Sequence, residues 1–332
     1  MADHTTLRVG GPVRTFVVAE TEQELIDVVR DADERKVAVF VFGSGSNIIV
    51  PDAGWDGVAV HVATTGIEHE TAACAGATVT VAAGENWDEF VALSVEREWS
   101  GIEALSGIPG SVGATPIQNV GAYGQDVAQT IARVRAYDRE TRQVRTFHAA
   151  DCDFGYRTSV FKRNSPRYVV LDVQFQLRLG AQSMPISYGE LATKLGVSVG
   201  ERSTSADVRA AVLELRRNKG MVLDPADHDT WSVGSFFINP TVDADHVPSA
   251  APHWELGDGQ VKVSAAWLVE HSGTPKGYTL GNAGTSTKHA LAITNRGGAT
   301  ADDVLQLARV IQQRVLDTFG IALQMEPQVV AP

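Results

Sequence analysis

The chain has 332 residues, of which 44% are hydrophobic, and its 28 Lys and Arg against 40 Asp and Glu give a net charge of -12. This length exceeds one ordinary domain, so we expect a multidomain protein with two or three cores. An acidic chain without a run of Lys or Arg is poorly suited to nucleic acid, although a few converging basic side chains could still bind a small anionic substrate.

Cysteine, histidine and the N-terminal composition disfavour further classes. Cys74 and Cys152 lie far apart, which argues against a disulfide framework or a structural zinc site and indicates a reducing compartment. The nine histidines have no metal-ligand spacing, so we predict no metal. The sequence shows no apolar signal segment and no membrane-spanning run, and we expect a cytoplasmic protein that does not contact the membrane.

The first part of the chain predicts a helix, a strand and a glycine-rich turn. Thr21 and Glu24 form a capping box ahead of an amphipathic helix. Residues 37–42 (VAVFVF) are of strand type and lead into residues 43–47 (GSGSN), where successive backbone N–H groups would form an anion nest. This is not the dinucleotide fingerprint, because strand-like residues 48–50 follow instead of a helix.

Strand-like runs at residues 57–63 and 78–84 come next, and Asn86 caps a second helix. Residues 107–124 (GIPGSVGATPIQNVGAYG) are then too rich in glycine and proline for a regular helix or a central strand. The apolar residues among them indicate a buried loop, and a buried glycine loop brings its backbone close to a flat or anionic ligand. A packed loop without a ligand is the alternative.

The rest of the chain predicts more strands, a domain boundary and further helices. Residues 133–137 and 144–147 predict a hairpin. A polar link at residues 196–205 predicts a boundary, after which Ser205 caps a helix. The other predicted elements are a strand at 168–177, a helix at 261–271, a strand at 290–294, a helix at 300–319 and a strand at 321–325. This mixture is typical of an α+β protein rather than a regular βαβ repeat.

Five motifs, in this order, resemble the UDP-N-acetylenolpyruvoylglucosamine reductase family, in its subgroup with a lid tyrosine. They are GSGSN at 43–47, the glycine loop at 107–124, GYRTS at 155–159, GSFFINP at 234–240 and EP at 326–327. The match extends from Thr5 to Pro327. The resemblance implies a vanillyl-alcohol-oxidase (PCMH) type FAD-binding module in two subdomains, residues 1–65 and 66–204, and an α+β substrate-binding domain at 205–324. Residues 325–332 would return to the first subdomain.

The resemblance also implies a reaction. NADPH reduces a noncovalently bound FAD, which then reduces the enolpyruvyl group of UDP-N-acetylglucosamine enolpyruvate to UDP-N-acetylmuramate for peptidoglycan. Negative charge develops on the substrate carboxylate, and the α-carbon needs a proton. Arg157 and Glu326 match the family's charge-stabilising pair, and Ser235 matches its proton donor. From the residues alone, Arg157 could equally be a surface ion-pair residue and Ser235 a helix cap or turn residue.

The same resemblance assigns the binding residues. Those for FAD are Gly43, Ser44, Gly45, Ser46, Asn47, Ile108, Pro109, Gly113, Ala114, Gln118, Asn119, Gly121, Ala122 and Gly124. Those for the UDP-sugar are Tyr188, Lys219, Asn239 and Lys276, the lysines acting as point charges on a diphosphate. Without the resemblance the lysines and Asn239 read as solvated side chains and Tyr188 as a core tyrosine. His289 stands where some relatives carry glutamine, and we expect a monomer.

Two other functional classes remain open at this point. A flavin oxidase of the same fold, acting on a sugar or an alcohol, usually holds its flavin covalently through His or Cys, and the glycine-rich segments contain neither. A non-catalytic protein that binds a flavin or a sugar nucleotide would not need Arg157, Ser235 and Glu326 together.

Overall fold

The computed structural model describes residues 1–330, and the chain divides into two compact units. The C-terminal unit consists of Met1–Val13, Gly45–Trp55 and the chain from Asn218 onward. The central unit consists of Arg14–Ser44 and Asp56–Arg217. Each unit is therefore assembled from segments that are distant in sequence.

The secondary structure of the described residues alternates strands with short helices. The strands are β1 (Val13–Ala19), β2 (Val39–Phe42), β3 (Ile48–Ile49), β4 (Trp55–Val62), β5 (Ile67–Ala72), β6 (Gly76–Ala82), β7 (Trp99–Ser100), β8 (Gly121–Ala122), β9 (Gln125–Asp126), β10 (Ile131–Asp138), β11 (Gln143–His148), β12 (Tyr168–Leu179), β13 (Ser232–Ser235), β14 (Thr241–Asp243), β15 (His253–Gly257), β16 (Gln260–Val263), β17 (Thr279–Leu280), β18 (Ala283–Thr285), β19 (Ala292–Asn295) and β20 (Gln328–Val329). The α-helices are α1 (Glu22–Glu34), α2 (Trp87–Glu96), α3 (Val160–Arg163), α4 (Gly189–Leu195), α5 (Ser205–Asn218), α6 (Ala265–His271) and α7 (Ala301–Phe319).

The central unit is built on an antiparallel sheet whose middle strand is β12. The strand order is β11-β10-β12-β6-β5, and β7 pairs with the far end of β12. Residues 169–171 of β12 are an apolar run because successive residues there are buried on both faces of the sheet. Trp87 and Phe90 of α2 pack on Phe175 of β12, with ring centroids 5.9 and 5.1 Å apart. This packing fixes α2 against the sheet.

A smaller sheet of the central unit carries the first glycine turn. Its strand order is β1-β4-β2, and β2 runs parallel to β4. Helix α1 begins with the predicted capping box of Thr21 and Glu24 and buries Leu25 and Val29. Residues 43–47 therefore start at the carboxyl end of a parallel strand, where open α/β sheets place their ligands.

The C-terminal unit has an antiparallel sheet in the order β13-β19-β18-β17, covered by α7. Helix α7 starts at the capping box of Thr300 and ends at Gly320, whose φ of 69° gives the left-handed C-terminal turn. Its buried stripe includes Val304, Leu307 and Ile311. Strand β20 pairs in parallel with β3, so this unit closes on the segment that follows the first glycine turn.

Two predicted helix starts were wrong. Thr204, not Ser205, caps α5, because the Thr204 hydroxyl accepts the Asp207 N–H at 3.0 Å and Ser205 is already helical. Residues 261–263 belong to strand β16, and α6 begins only after Ser264, whose hydroxyl accepts the Trp267 N–H at 3.3 Å. Val261 and Val263 are buried and alternate with the more exposed Lys262, and this period of two is typical of a strand, not of a helix.

The predicted last strand at residues 321–325 was also wrong. In the described chain this segment makes a single isolated bridge, from Met325 to Phe237, and the strand of this region is β20. The other predicted strands and helices are confirmed, as is the hairpin, formed by β10 and β11. The three-part domain division stays a prediction, and its last two residues lie outside those described. None of the described helices combines the length and the apolar character that crossing a bilayer requires.

Candidate active site

Residues 43–47 form the turn between β2 and β3. Gly45 has a φ of 66°, in the left-handed region that glycine adopts without steric cost. Within residues 1–330, the backbone N–H groups of residues 43–46 donate to no protein acceptor. Successive N–H groups of this kind form an anion nest, so the turn has the donors that the diphosphate of a dinucleotide requires.

Gly43 lies against the long glycine loop. A Cβ atom at Gly43 would be 2.0 Å from the Oγ of Ser111, closer than two such atoms can approach. Backbone packs against side chain here, and only glycine fits. Gly43, the first residue of the GSGSN segment, and the long glycine loop are therefore neighbours within the central unit.

The glycine loop of residues 107–124 is ordered and mostly buried or half-buried, as predicted. Val112 and Gly113 donate backbone hydrogen bonds of 2.8 Å to the carbonyl oxygens of Glu85 and Ala83. A Cβ at Gly113 would be 2.5 Å from the Cβ of Ala83. Packing against Ala83 thus requires glycine at position 113, whatever the loop binds.

Arg157 is fixed on this loop. Its guanidinium donates to the carbonyl oxygens of Gly121 at 2.7 Å and Asn119 at 3.4 Å. The Asn119 side chain donates in turn to the carbonyl of Gly155 at 3.2 Å, so the loop and the GYRTS segment are joined twice. The φ of Arg157 is 54°, which is uncommon for a residue with a side chain and typical of functional sites. The predicted charge-stabilising arginine is thus held in a defined place beside the predicted flavin loop.

Asp126 is a neighbour of Arg157 that the sequence analysis missed. It pairs with Gly121 across the small β8–β9 ribbon. Burial raises the pKa of the Asp126 carboxyl above its ordinary value, while the charge of Arg157 and several hydrogen bonds act in the opposite direction. No motif marked this residue, because an aspartate in a short ribbon has no distinctive spacing.

Tyr188 lies beside the end of the glycine loop, and it is not a core residue. Its side chain is 41% exposed, and its ring packs edge-on against Tyr123 with centroids 5.5 Å apart. The neighbouring Ser187 hydroxyl donates to the carbonyl of Gly124 at 3.4 Å. Burial raises the pKa of Tyr123 to about 12, so its phenol is neutral at physiological pH. An exposed aromatic on a short helix that contacts the loop is compatible with the predicted lid, and a core position is excluded.

Ser235 and Glu326 lie on neighbouring segments of the C-terminal unit. Ser235 ends β13, and the next residue, Phe236, accepts the Glu326 N–H at 2.9 Å. The bridge between Phe237 and Met325 extends the same pairing by one residue. Both Ser235 and Glu326 are half-buried. The segments that contain the predicted proton donor and the predicted carboxyl group are therefore joined by backbone pairing.

An imidazole also lies next to Ser235. The Oγ of Ser235 is 3.5 Å from the Nε2 of His289, which stands in the loop between β18 and β19. In the sequence His289 was noted only as a departure from some relatives. No spacing rule could have paired it with Ser235, because their contact depends on the register in which Ser235 faces Ala292.

The three predicted sugar-nucleotide residues of the C-terminal unit differ in their surroundings. The Asn239 Oδ1 accepts the Ala265 N–H at 2.9 Å and so helps to begin α6, while its amide N–H groups are the donors it would offer a ligand. Lys276 is exposed and lies 3.6 Å from a carboxylate oxygen of Glu270. Lys219 is half-buried and directly precedes Gly220, which packs near the loop that carries His289.

One group of side chains bears on the prediction that no metal is bound. Among the described residues, Asp243, Asp245 and His246 offer ligand atoms close enough to share an ion. All three are exposed, as such acidic groups commonly are without an ion. The absence of a metal therefore stays a prediction.

Comparison with known proteins defines the class and then the family. A family model described as the FAD binding domain matches residues 13–146, where both glycine elements lie, so the chain is a flavin-binding oxidoreductase of α+β type. A second model, the C-terminal domain of UDP-N-acetylenolpyruvoylglucosamine reductase, matches residues 224–330, which contain Ser235 and Glu326. Curated reductases of that name are 54% identical in Cutibacterium acnes, over 99% of this chain and 89% of that protein, and 50% identical in Thermobifida fusca, over 99% and 96%. The chain belongs to the UDP-N-acetylenolpyruvoylglucosamine reductase family.

A solved structure supports the same assignment. The UDP-N-acetylenolpyruvylglucosamine reductase of Thermus caldophilus matches with a TM-score of 0.67 at 27% identity, over 99% of this chain and 97% of that one. The predicted fold class, with its vanillyl-alcohol-oxidase type FAD-binding module, is confirmed. The predicted cofactors, FAD and NADPH, are those that this family uses. The individual site residues are not tested by these matches, and their roles stay predictions.

Proposed function

We propose that this protein reduces the enolpyruvyl group of UDP-N-acetylglucosamine enolpyruvate to give UDP-N-acetylmuramate, with NADPH as reductant and FAD as cofactor. The observation that carries the proposal is the backbone pairing of the two segments that contain Ser235 and Glu326, in which the Glu326 N–H donates to the Phe236 carbonyl. Adding hydride and a proton to an enol ether that is conjugated to a carboxylate requires a proton donor and charge stabilisers. The Ser235 hydroxyl and the Glu326 carboxyl, on paired segments, would supply one of each.

The glycine elements bind the cofactor in this proposal. The N–H groups of residues 43–47 bind the diphosphate of FAD, and the loop of residues 107–124 lines its ring system. When bound, FAD accepts hydride from NADPH and supplies it to the β-carbon of the substrate. Contact between Gly43 and Ser111 supports a single cofactor that touches both elements.

Arg157 and Glu326 stabilise the charge that develops on the substrate carboxylate. The two carbonyl contacts of Arg157 orient its guanidinium before substrate arrives, so little reorganisation is required during the reaction. Glu326 is half-buried and would act as a hydrogen-bond donor in its protonated form.

Ser235 donates the proton to the α-carbon. A serine hydroxyl is an inherently weak acid, so this role needs a strongly basic carbanion beside it and a partner that stabilises the alkoxide. Tyr188, Lys219, Asn239 and Lys276 bind the UDP-sugar, the lysines through its diphosphate. Exposure of Tyr188 supports a lid role, in which closure excludes water and strengthens the charge interactions inside the site.

We also propose that the protein acts in the cytoplasm as a monomer and does not bind nucleic acid. Its net charge of -12 repels a polyanion, and Cys74 and Cys152 are both unpaired thiols, which suits a reducing compartment. Size-exclusion chromatography with light scattering tests the monomer.

Anaerobic mixing tests the proposed function against the two other classes. NADPH should bleach the flavin absorbance, and the enolpyruvyl sugar nucleotide should then restore it without oxygen. An oxidase would recover its absorbance only with oxygen, and a binding protein would not be bleached. Acid precipitation should release the FAD into the supernatant, because the proposed binding is noncovalent.

A further inference from the structure

The loop of residues 286–291 connects β18 to β19 and contains His289, which lies next to Ser235. The loop is closed at its base by the Ser286 N–H, which donates to the carbonyl of Ala292 at 2.8 Å. Ala292 faces Ser235 in the sheet, and the Phe236 N–H donates to the Leu291 carbonyl at 2.8 Å. The position of His289 relative to Ser235 therefore depends on how rigid this loop is.

A buried carboxylate makes the loop rigid. Asp229, which is 9% exposed, accepts hydrogen bonds of 2.9 Å from the Ser286 hydroxyl, the Thr287 N–H and the Thr287 hydroxyl, and one of 3.3 Å from Arg296. The Ser286 oxygen accepts in turn from the N–H groups of Lys288 at 3.0 Å and His289 at 3.2 Å. A continuous chain of hydrogen bonds thus leads from Asp229 through Ser286 to the backbone of His289.

The chemistry of a serine proton donor explains what this arrangement does. Ser235 has one hydroxyl hydrogen, and in the reactive geometry that hydrogen must point at the substrate carbon. Its oxygen can then only accept from His289, which requires the tautomer with a proton on Nε2. An N–H donor aimed at Oγ stabilises the alkoxide more than the neutral hydroxyl, so it makes the serine a better acid.

We propose that His289 is a positioning residue for Ser235: its Nε2–H orients the hydroxyl and stabilises the alkoxide, and Asp229 holds His289 in place through Ser286. This inference rests on the proposed function, in which Ser235 donates the proton. The contact of 3.5 Å is long for a hydrogen bond, as contacts at catalytic groups often are before substrate binds. We expect it to shorten in the complex.

The proton balance of the step is simple. The O–H bond of Ser235 breaks, and its proton forms the new C–H bond with the electron pair of the substrate carbanion. The alkoxide accepts the Nε2–H hydrogen bond and regains a proton from solvent before the next turnover.

Charged groups around the loop include Lys288 with Asp227 at 2.7 Å, Asp229 with Arg296, and Glu326 beside β13.

Stopped-flow absorbance of the FAD-loaded protein tests this proposal in its two half-reactions. His289→Ala should leave reduction by NADPH unchanged and slow reoxidation by UDP-N-acetylglucosamine enolpyruvate about 10- to 100-fold, the range for a hydrogen bond to a developing charge. His289→Gln keeps an N–H donor and should stay within about threefold of the wild-type rate. Asp229→Asn keeps one acceptor for the Thr287 N–H but replaces the oxygen that accepts from the Ser286 and Thr287 hydroxyls by an amide donor, and should slow reoxidation about 3- to 30-fold by displacing the loop.

The control and the separate readouts distinguish positioning from loss of structure. His246→Ala changes an exposed histidine of the same unit and should leave both half-reactions unchanged. The solvent deuterium isotope effect on reoxidation should rise in His289→Ala, because proton donation becomes more strongly rate-limiting, while the substrate dissociation constant should not change. Equal slowing of both half-reactions by His289→Ala, or no slowing at all, would overturn the proposal.

A measurement on the unmodified side chain needs no catalysis. Long-range proton–nitrogen spectra of the holoprotein, with the His289 signals identified by their loss in His289→Gln, should show the Nε2-protonated tautomer. The Nδ1-protonated tautomer would overturn the proposal. A wild-type protein whose flavin is not reoxidised by the enolpyruvyl substrate would instead contradict the proposed function itself.

Discussion

The guanidinium of Arg157 donates a hydrogen bond of 2.7 Å to the carbonyl oxygen of Gly121, which fixes a basic side chain on the glycine loop. The same guanidinium also donates to the carbonyl oxygen of Asn119, and the side-chain amide of Asn119 donates to the carbonyl oxygen of Gly155. A positive charge held in this way needs no reorganisation when negative charge develops on a substrate. The left-handed backbone of Arg157 shows that the fold accepts strain to hold it there.

We expect Arg157→Lys to slow the reoxidation half-reaction by a factor of about 100, because an ammonium group lacks the planar fork that contacts the two carbonyls. Reduction by NADPH creates no charge on a substrate carboxylate and should keep its rate. Stopped-flow absorbance separates the two steps. Arg163→Lys, in the exposed pair with Asp153 on nearby α3, is the matched control and should behave as wild type. Equal slowing of both steps would assign Arg157 to folding of the loop.

Gly43→Ala should lower the FAD content of the purified protein and its thermal unfolding midpoint. The added methyl would meet the Ser111 Oγ at 2.0 Å and its Cβ at 3.0 Å, so the turn or the loop must move. Ser111→Gly removes both atoms, and the double variant should recover part of the FAD content. Flavin absorbance relative to protein absorbance measures the occupancy. Full FAD content in Gly43→Ala would show that contact between the two elements does not support cofactor binding.

Tyr188→Ala should raise the Michaelis constant for the sugar nucleotide about 5- to 30-fold if the side chain contributes about 1 to 2 kcal/mol to binding. Tyr188→Phe keeps the edge-on contact with Tyr123 and loses only the hydroxyl, so its increase should be smaller. Steady-state kinetics at saturating NADPH measures both. Leu179→Ala, at another exposed apolar side chain of the central unit, is the control. An unchanged Michaelis constant in both tyrosine variants would contradict the lid role.

Asp138 provides a test of stability and its pH dependence. The fully buried carboxylate accepts hydrogen bonds from Arg167 at 2.9 and 2.7 Å, which hold the pKa of Asp138 far below its usual value. A lowered pKa in the folded state stabilises the fold above the unfolded pKa of about 4, and this stabilisation is lost as pH falls below it. Asp138→Asn should therefore destabilise the protein by about 3 kcal/mol at pH 7.

The difference in thermal unfolding midpoint between wild type and Asp138→Asn should shrink between pH 5 and pH 3, because the carboxyl of unfolded wild type takes up a proton that the folded carboxylate does not bind in this range. Asp56→Asn breaks an exposed pair with Arg14 and should change the midpoint little at any pH. A difference in unfolding midpoint that stays constant across this pH range would show that Asp138 stabilises the fold through its shape and not through its charge.

Local signals in the sequence predicted most elements of this fold. The capping box at Thr21 and the apolar stripe that follows it placed α1 correctly, because both signals act within a few residues. The prediction of a helix start was wrong where two neighbouring residues could both cap the helix. Thr204 and Ser205 are adjacent capping residues, and only the hydrogen bond to Asp207 distinguishes them.

The site shows the same limit. The glycine-rich segments predicted a bound ligand because a high local content of glycine allows backbone conformations that bring N–H groups close to a ligand. The contacts of Ser235 with His289, and of its segment with Glu326, arise from strand register between segments far apart in sequence. No local sequence pattern encodes that register. The hydrogen bonds of Asp229 to Ser286 and Thr287 could not be predicted either, because they also join residues far apart in sequence.

Ser235 is the proposed proton donor in the reduction of the enolpyruvyl group. The reoxidation rate of NADPH-reduced Ser235→Ala by UDP-N-acetylglucosamine enolpyruvate, measured anaerobically in single turnover beside wild type, tests this role. We expect normal reduction and a reoxidation slowed by a factor of at least about 100, with partial recovery in Ser235→Cys, whose thiol is a stronger acid. Reoxidation of Ser235→Ala at the wild-type rate would contradict this role.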